Sequence, residues 1–174
     1  MKREQLIKRI KQTAFLEGEF VLRSGRKSTY YLDKYLFETC PDILKALAEQ
    51  FASYVTNDVT LIAGAELGGV ALAAAIALET GRNFCIIRNT KKGYGTGKLV
   101  EGLLGPRDTV LLVEDIATTG GQVIEAAKVI TDTGAKLSKI VACIDRQEGA
   151  KENITAAGYD FESIMTKKDL GITN

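Results

Sequence analysis

The sequence contains no histidine. That removes the commonest general base and the commonest metal ligand together, so a histidine-based triad or zinc site is excluded. Any chemistry must rest on carboxylates, Lys, Arg, Tyr, hydroxyls and backbone dipoles. Cysteine is scarce: Cys40, Cys85 and Cys143 are odd in number, widely spaced and set beside apolar residues, which predicts reduced, buried thiols in place of disulfides. Neither sign of charge is in excess, with 23 Lys plus Arg against 22 Asp plus Glu, so no net field draws the chain to nucleic acid or to an anionic membrane. Apolar runs of signal-peptide or membrane-spanning length are missing, and the opening MKREQLIKRIKQ carries charges every few residues, so the expected location is the cytoplasm. Repeats, low-complexity tracts and Pro/Ser-rich linkers are missing too. The 174 residues therefore read as one domain, 1–174, with a sizeable core.

What is present alternates in period. Residues 3–17 place Leu6, Ile7, Ile10, Ala14 and Phe15 at helical spacing, with Gly18 ending the segment. FVLRSGRKSTYYLD then reads as a hairpin with a basic tip over residues 24–28. Pro41 opens a helix that turns Leu44, Leu47, Ala48, Phe51 and Val55 inward. From there short apolar runs, 59–63, 84–87, 109–113 and 140–144, look like buried parallel strands. Helical segments at 69–79 and 122–133, the second ended by Gly134, lie between them. Such alternation predicts an α/β fold with a doubly wound, mostly parallel sheet. Residues 1–40 form an N-terminal helix and hairpin and 41–174 the core, while the glycine-rich stretch 89–107 is the one long loop and has the length of a lid.

The sharpest motif is TVLLVEDIATTGGQVIEAAKVI, residues 109–130. An apolar strand ends in Glu114-Asp115, and a loop of small residues leads into a helix. Backbone N–H groups of residues 117–121 can point at a phosphate, glycines let the backbone approach it, and the Thr118 and Thr119 hydroxyls add donors. The two carboxylates suit sugar hydroxyls lying next to that phosphate. A bland reading stays open, an ordinary strand-to-helix turn with an acidic start and a Thr cap. GYGTGK is no Walker A loop, because Leu99 follows Lys98 and Lys92 stands at the first glycine position. AGAELGG, residues 63–69, follows a strand but lacks dinucleotide spacing.

The order Glu114-Asp115-Ile116-Ala117-Thr118-Thr119-Gly120-Gly121 resembles the signature of the type I phosphoribosyltransferases for 5-phosphoribosyl-1-pyrophosphate (PRPP). Within that superfamily, FVLRSGRKSTYYLD is similar to the hood of the orotate phosphoribosyltransferases, IIRNTKKGYGTGKLVEG to their catalytic loop, and VACIDRQEGA to their strand and loop near the base. With the KKDLGI ending, the resemblance spans nearly the whole chain. It implies transfer of the phosphoribosyl group from PRPP to orotate in pyrimidine synthesis, by a transferase working with Mg²⁺ that is reached through PRPP oxygens and water and has no direct protein ligand.

The resemblance also implies site residues. PRPP falls to Arg88, Lys92, Glu114, Asp115, Ile116, Ala117, Thr118, Thr119, Gly120, Gly121 and Gln122, with Lys92, Arg88 and Asp115 catalytic. Orotate falls to Thr118, Arg146, Arg23 and Tyr31, with Leu32 beside the base. The expected assembly is a homodimer whose sites are shared, Arg88 and Lys92 reaching pyrophosphate across the interface, with no nucleic-acid or membrane partner. The loop departs from the family pattern: Asn89 stands at a cation position and Tyr94 at a histidine position. Taken alone, Arg23 also reads as a surface charge and Arg146 as an ion-pair partner of Asp145 or Glu148. A phosphoribosyltransferase for a purine or other base, and a non-catalytic PRPP-sensing regulator, are the alternative functions, the latter without an appended helix-turn-helix.

Overall fold

The computed structural model describes residues 1–21, 25, 27–90 and 98–172. Helix α1 (Arg3–Ala14) runs directly into β1 (Phe15–Val21), which pairs antiparallel with β2 (Lys27–Leu32). The periodicity through Phe15 suggests helix to residue 17, but Phe15 is recruited to the hairpin, where its ring stacks on Tyr30 at 5.6 Å. The chain then makes α2 (Lys34–Glu38), α3 (Pro41–Ala52), β3 (Leu61–Ala65), α4 (Gly68–Thr80), β4 (Asn83–Ile87), β5 (Val100–Glu101), β6 (Thr109–Ala117), α5 (Gly121–Thr131), β7 (Lys136–Asp145), α6 (Ala150–Ala156) and β8 (Phe161–Thr166). Short α2, α6 and β8 carry too few periodic positions to stand out in the sequence. The stretch 89–107 is not loop throughout, because β5 adds to β4 within it.

The main sheet has the order β5-β4-β3-β6-β7-β8, with all neighbours parallel except β4 and β5. Both faces are covered, and β6 shows why its apolar run is unbroken. Leu111 and Val113 pack into one core with α1, α3 and α4, whereas Val110 and Leu112 pack into the other with α5 and α6. A strand buried on both faces needs apolar residues at every position. Leu6, Ile10 and Ala14 of α1 join the first core, tying the leading helix to the sheet. Helices α4 and α5 follow adjacent strands β3 and β6 onto opposite faces, so a crevice opens between the carboxyl ends of those strands. Cys85 and Cys143 are buried thiols as expected, and burial pushes Cys85 up to about 12. Cys40 is only partly buried, because it caps α3 at the surface, with its Sγ donating to Leu36 O. No helix among the described residues is long and apolar enough to cross a membrane.

One charged side chain sits where α2 meets the sheet. Glu38 is 3% exposed, and its Oε1 has no hydrogen-bond partner among the described residues. Burial, then the neighbouring Asp115 charge, pushes its carboxyl up to about 8, with Lys34 opposing and Asp33 adding to the rise. The folded chain thus keeps Glu38 protonated over a range where the unfolded chain ionises it, from 4.5 upward. Its contribution to stability is full below that value and drains as pH rises to about 8, by about 1.4 kcal/mol per pH unit at most. Glu38→Gln removes the drain. Its melting temperature, compared with the parent by calorimetry, should gain on the order of 10 °C between pH 5 and pH 9. A difference that stays constant with pH would show that Glu38 is not held neutral.

Candidate active site

Strand β6 continues past its apolar run through Glu114, Asp115 and Ile116 to Ala117, paired with β7 as far as Asp145. The loop 118–120 then turns into α5. Its last residue, Gly120, is the N-cap of α5 at φ 81°, and a Cβ there would lie 2.9 Å from Ile154 of α6, so both backbone and packing require glycine. Two bonds fix the loop to its surroundings: Asn153 of α6 donates to Thr119 O at 2.9 Å, and the Arg146 N–H donates to Ala117 O at 2.9 Å. The result is a concavity of about 60 Å³ lined by Glu114 and residues 116–123, small enough for a phosphate group. At its floor the first turn of α5 leaves N–H groups without helical partners, an arrangement that favours an anion. Larger hollows of about 470 and 550 Å³ lie along β5 and α4, away from these carboxylates.

Asp115 points away from the cradle and its side chain is 2% exposed. Its Oδ2 accepts from Lys34 Nζ and its Oδ1 from the Ile116 N–H. Space for it exists because residue 68 is glycine: a Cβ on Gly68 would lie 1.4 Å from Asp115 Oδ2. Gly68 is also the first residue of α4, whose positive end therefore faces the carboxylate. Glu114 Oε2 is buried without a partner among the described residues. Burial, followed by the Asp115 charge, holds the Glu114 carboxyl well above the usual carboxylate range. For Lys34, burial pulls the ammonium down, but the charge and hydrogen bond of Asp115 outweigh it and hold the group above its ordinary value.

The remaining expected residues spread around this centre. Arg88, just past β4, pairs with Glu66 at 3.5 Å and Glu101 at 3.9 Å. Asn89 donates to Glu66 O at 3.0 Å, in the turn between β3 and α4 where the Glu66–Leu67 peptide is cis. Arg146 pairs with Glu148 at 2.9 Å, whereas Asp145 accepts from the Gln147 N–H, so of its two possible ion-pair partners Glu148 is the one engaged. Tyr31 lies on the exposed side of β2 with its ring 5.6 Å from that of Phe20, and Leu32 packs on the core. Arg23, Lys92 and Tyr94 lie outside the described residues. Sequence reasoning missed Lys34, Glu38 and Gly68. Spacing of i, i+4 put Lys34 and Glu38 on one helical face, but no apolar periodicity marked α2 as a helix; AGAELGG was tested only against dinucleotide binding.

Comparison with known proteins agrees with this geometry. A family model described as the phosphoribosyl transferase domain matches residues 37–161. The orotate phosphoribosyltransferase of Pyrococcus abyssi is 42% identical over 172 residues, 97% of this chain and 94% of its own length. A crystal structure of Mycobacterium tuberculosis orotate phosphoribosyltransferase superposes with a TM-score of 0.88 at 28% identity, covering 98% of this chain and 99% of that one. A second structure of that enzyme, in complex with PRPP, superposes with a TM-score of 0.83 at 26% identity, covering 98% and 99%. With the family model spanning most of its length and a relative this similar along almost all of it, the chain belongs to the phosphoribosyltransferase family, among the orotate phosphoribosyltransferases.

Proposed function

We propose that the chain transfers the phosphoribosyl group of PRPP to orotate, releasing pyrophosphate and forming orotidine 5′-monophosphate. The cradle of residues 114–122 at the carboxyl end of β6 carries this reading, since it sets a phosphate-sized concavity beside two carboxylates. In this assignment Glu114 and Asp115 take the ribose hydroxyls, and residues 117–121 take the 5′-phosphate. Arg146 reads the orotate carboxylate through its planar fork, which the ligand draws from Glu148. N1 of orotate bonds to the anomeric carbon as the bond to pyrophosphate oxygen breaks, its electron pair leaving with pyrophosphate. The chain has no imidazole to accept the N1 proton, and the departing pyrophosphate oxygens are the strongest acceptors that the step creates. Arg88 and Lys92 offset the charge that grows there.

Among the described residues no three His, Cys, Asp or Glu side chains converge to hold a metal ion. Two adjacent carboxylates suit an ion that keeps water and substrate oxygens as ligands, as Mg²⁺ does. When bound, Mg²⁺ would neutralise pyrophosphate charge, and Glu114 and Asp115 would hold its shell of water and sugar hydroxyls. The shared-site dimer has support in an apolar edge: Leu78 and Leu103 are 89% and 84% exposed and line one hollow with Phe84. We assign residues 1–40 as the hood, and the cytoplasm as the location.

Orotate absorbance should fall with PRPP and Mg²⁺ present, and adenine, guanine, hypoxanthine and xanthine should give no turnover. Arg146→Ala should raise the orotate KM by roughly tenfold or more with little change for PRPP, as expected for a lost charged hydrogen-bonding partner. An unchanged orotate KM would make Arg146 a structural partner of Glu148 alone.

Gly68→Ala tests the packing of Asp115. In a helix interior such a change is worth about 1 kcal/mol in its favour; Gly68 is only the first residue of α4, and the added methyl cannot coexist with the carboxylate where it stands. The PRPP KM should rise roughly tenfold or more, since Asp115 must move. Parental PRPP kinetics would show that Asp115 is not held for PRPP.

Lys92→Ala and Asp115→Asn proteins, each inactive, should regain about a quarter of parental activity when mixed in equal amounts under conditions of subunit exchange. Random pairing makes about half the dimers mixed, each with one intact site of two. Label-verified exchange without regained turnover would refute a site shared through Lys92.

A further inference from the structure

Lys34 lies outside every motif of the family resemblance, yet it reaches across the fold to the ribose-side carboxylate. It is the first residue of α2, whose N-cap Asp33 accepts from the Tyr35 N–H at 3.1 Å, while the Asp33 N–H donates to Ala14 O at 2.9 Å. The start of α2 is thereby tied to the junction of α1 and β1. From this fixed root the Lys34 ammonium bonds Asp115 Oδ2, and its side chain remains 30% exposed while Asp115 is 2% exposed. Lys34 therefore forms the solvent side of the contact and Asp115 the buried side. The back of Asp115 is closed by Gly68, and its other oxygen is taken by the Ile116 N–H.

We propose that Lys34 is a positioning residue for PRPP: it holds Asp115 in the orientation that receives the ribose hydroxyls and remains as the counter-charge once PRPP is bound. The proposal rests on the PRPP reading of the site. Two opposed effects decide the sign. Lys34 covers part of Asp115, so a sugar hydroxyl must share Oδ2 with it or displace it, which weakens binding. Against this, Asp115 and Glu114 are adjacent carboxylates in a nearly dry site, and PRPP adds several negative charges beside them. Without an ammonium, Asp115 would meet an anionic ligand with only the Ile116 N–H and the α4 N-terminus to offset its charge, and removing one partner of a buried ion pair is the costlier change. The counter-charge effect wins, so loss of Lys34 weakens PRPP binding.

The test measures PRPP affinity by titration calorimetry in the parent and in Lys34→Met, Lys34→Gln and Lys34→Arg, alone and with Asp115→Asn, and kcat and KM separately by orotate turnover in the variants that keep Asp115. Lys34→Met should weaken PRPP roughly tenfold in both Kd and KM, with a smaller change in kcat and in the orotate KM. Lys34→Arg should recover most of the loss. In the Asp115→Asn background Lys34→Met should have little further effect, because the interaction it removes is already gone. PRPP binding as tight as the parent's, or tighter, in Lys34→Met would overturn the proposal, as would an equal loss with and without Asp115. If Lys34→Met does not fold, as judged by its thermal transition, Lys34→Gln carries the same comparison, since it keeps a donor and removes the charge. A parent chain that fails to bind PRPP would overturn the reading of the site and the proposal together, whereas a PRPP-binding parent with insensitive Lys34 variants overturns the proposal alone.

Discussion

The site is organised around a negative charge that folding takes out of water. Asp115 lies near the carboxyl end of β6, one of the two central strands, and is almost fully covered, so its desolvation must be met locally. The fold meets it from several directions. The Ile116 N–H and the Lys34 ammonium take its two oxygens, and the α4 N-terminus approaches from behind through a glycine. Each neighbour is then constrained in turn. Gly68 has no alternative residue, and α2 must start where Lys34 can reach. The carboxyl of Glu38, one turn along α2, is pushed up by its burial and then by the neighbouring Asp115 charge. Glu114 is displaced upward for the same reasons of burial and proximity.

The cations are handled in the same manner. Arg88 faces Glu66 and Glu101, and Arg146 faces Glu148, so these guanidinium groups are held by carboxylates at the rim of the crevice. Rim pairs of this kind are worth about 0–1 kcal/mol. They are weak enough to exchange readily, yet they keep long side chains in a narrow range of orientations. Buried Asp115 and its half-buried partner are a different case, because nothing but another charged or hydroxyl group can replace Lys34 there without leaving the carboxylate unmet.

Most of this was legible where a physical requirement falls on adjacent residues. The run 109–113 had to be a buried strand, Gly120 and Gly121 had to open a helix at a close approach, and Glu114-Asp115 had to stand at the strand end; all of it lies within one continuous segment. Requirements met across the fold were not legible. Lys34 and Asp115 are 81 residues apart, and Gly68 is a glycine because of a carboxylate on another strand. Helix α1 ended early for a similar reason, since the pairing of Phe15 with Leu32 and its stacking on Tyr30 outweigh a helical pattern that Phe15 also satisfies. Short α2, α6 and β8 owe their form to packing against the sheet, and their own propensities are too weak to declare them.

Asn89 shows how a departure from a family pattern can keep a structural role while giving up a charge. Where the resemblance leads one to expect a cation, the amide donates to the Glu66 carbonyl, joining the end of β4 to the turn after β3. Glu66 also holds Arg88 through its side chain and donates its N–H to Ile87 O. Residues 87–89 and Glu66 are therefore laced together at backbone, side-chain and ionic contacts within one turn of chain. A lysine at position 89 could not supply the amide's geometry and would add positive charge beside Arg88, loosening Arg88 from Glu66. Asparagine trades long-range attraction for a fixed junction at the end of β4.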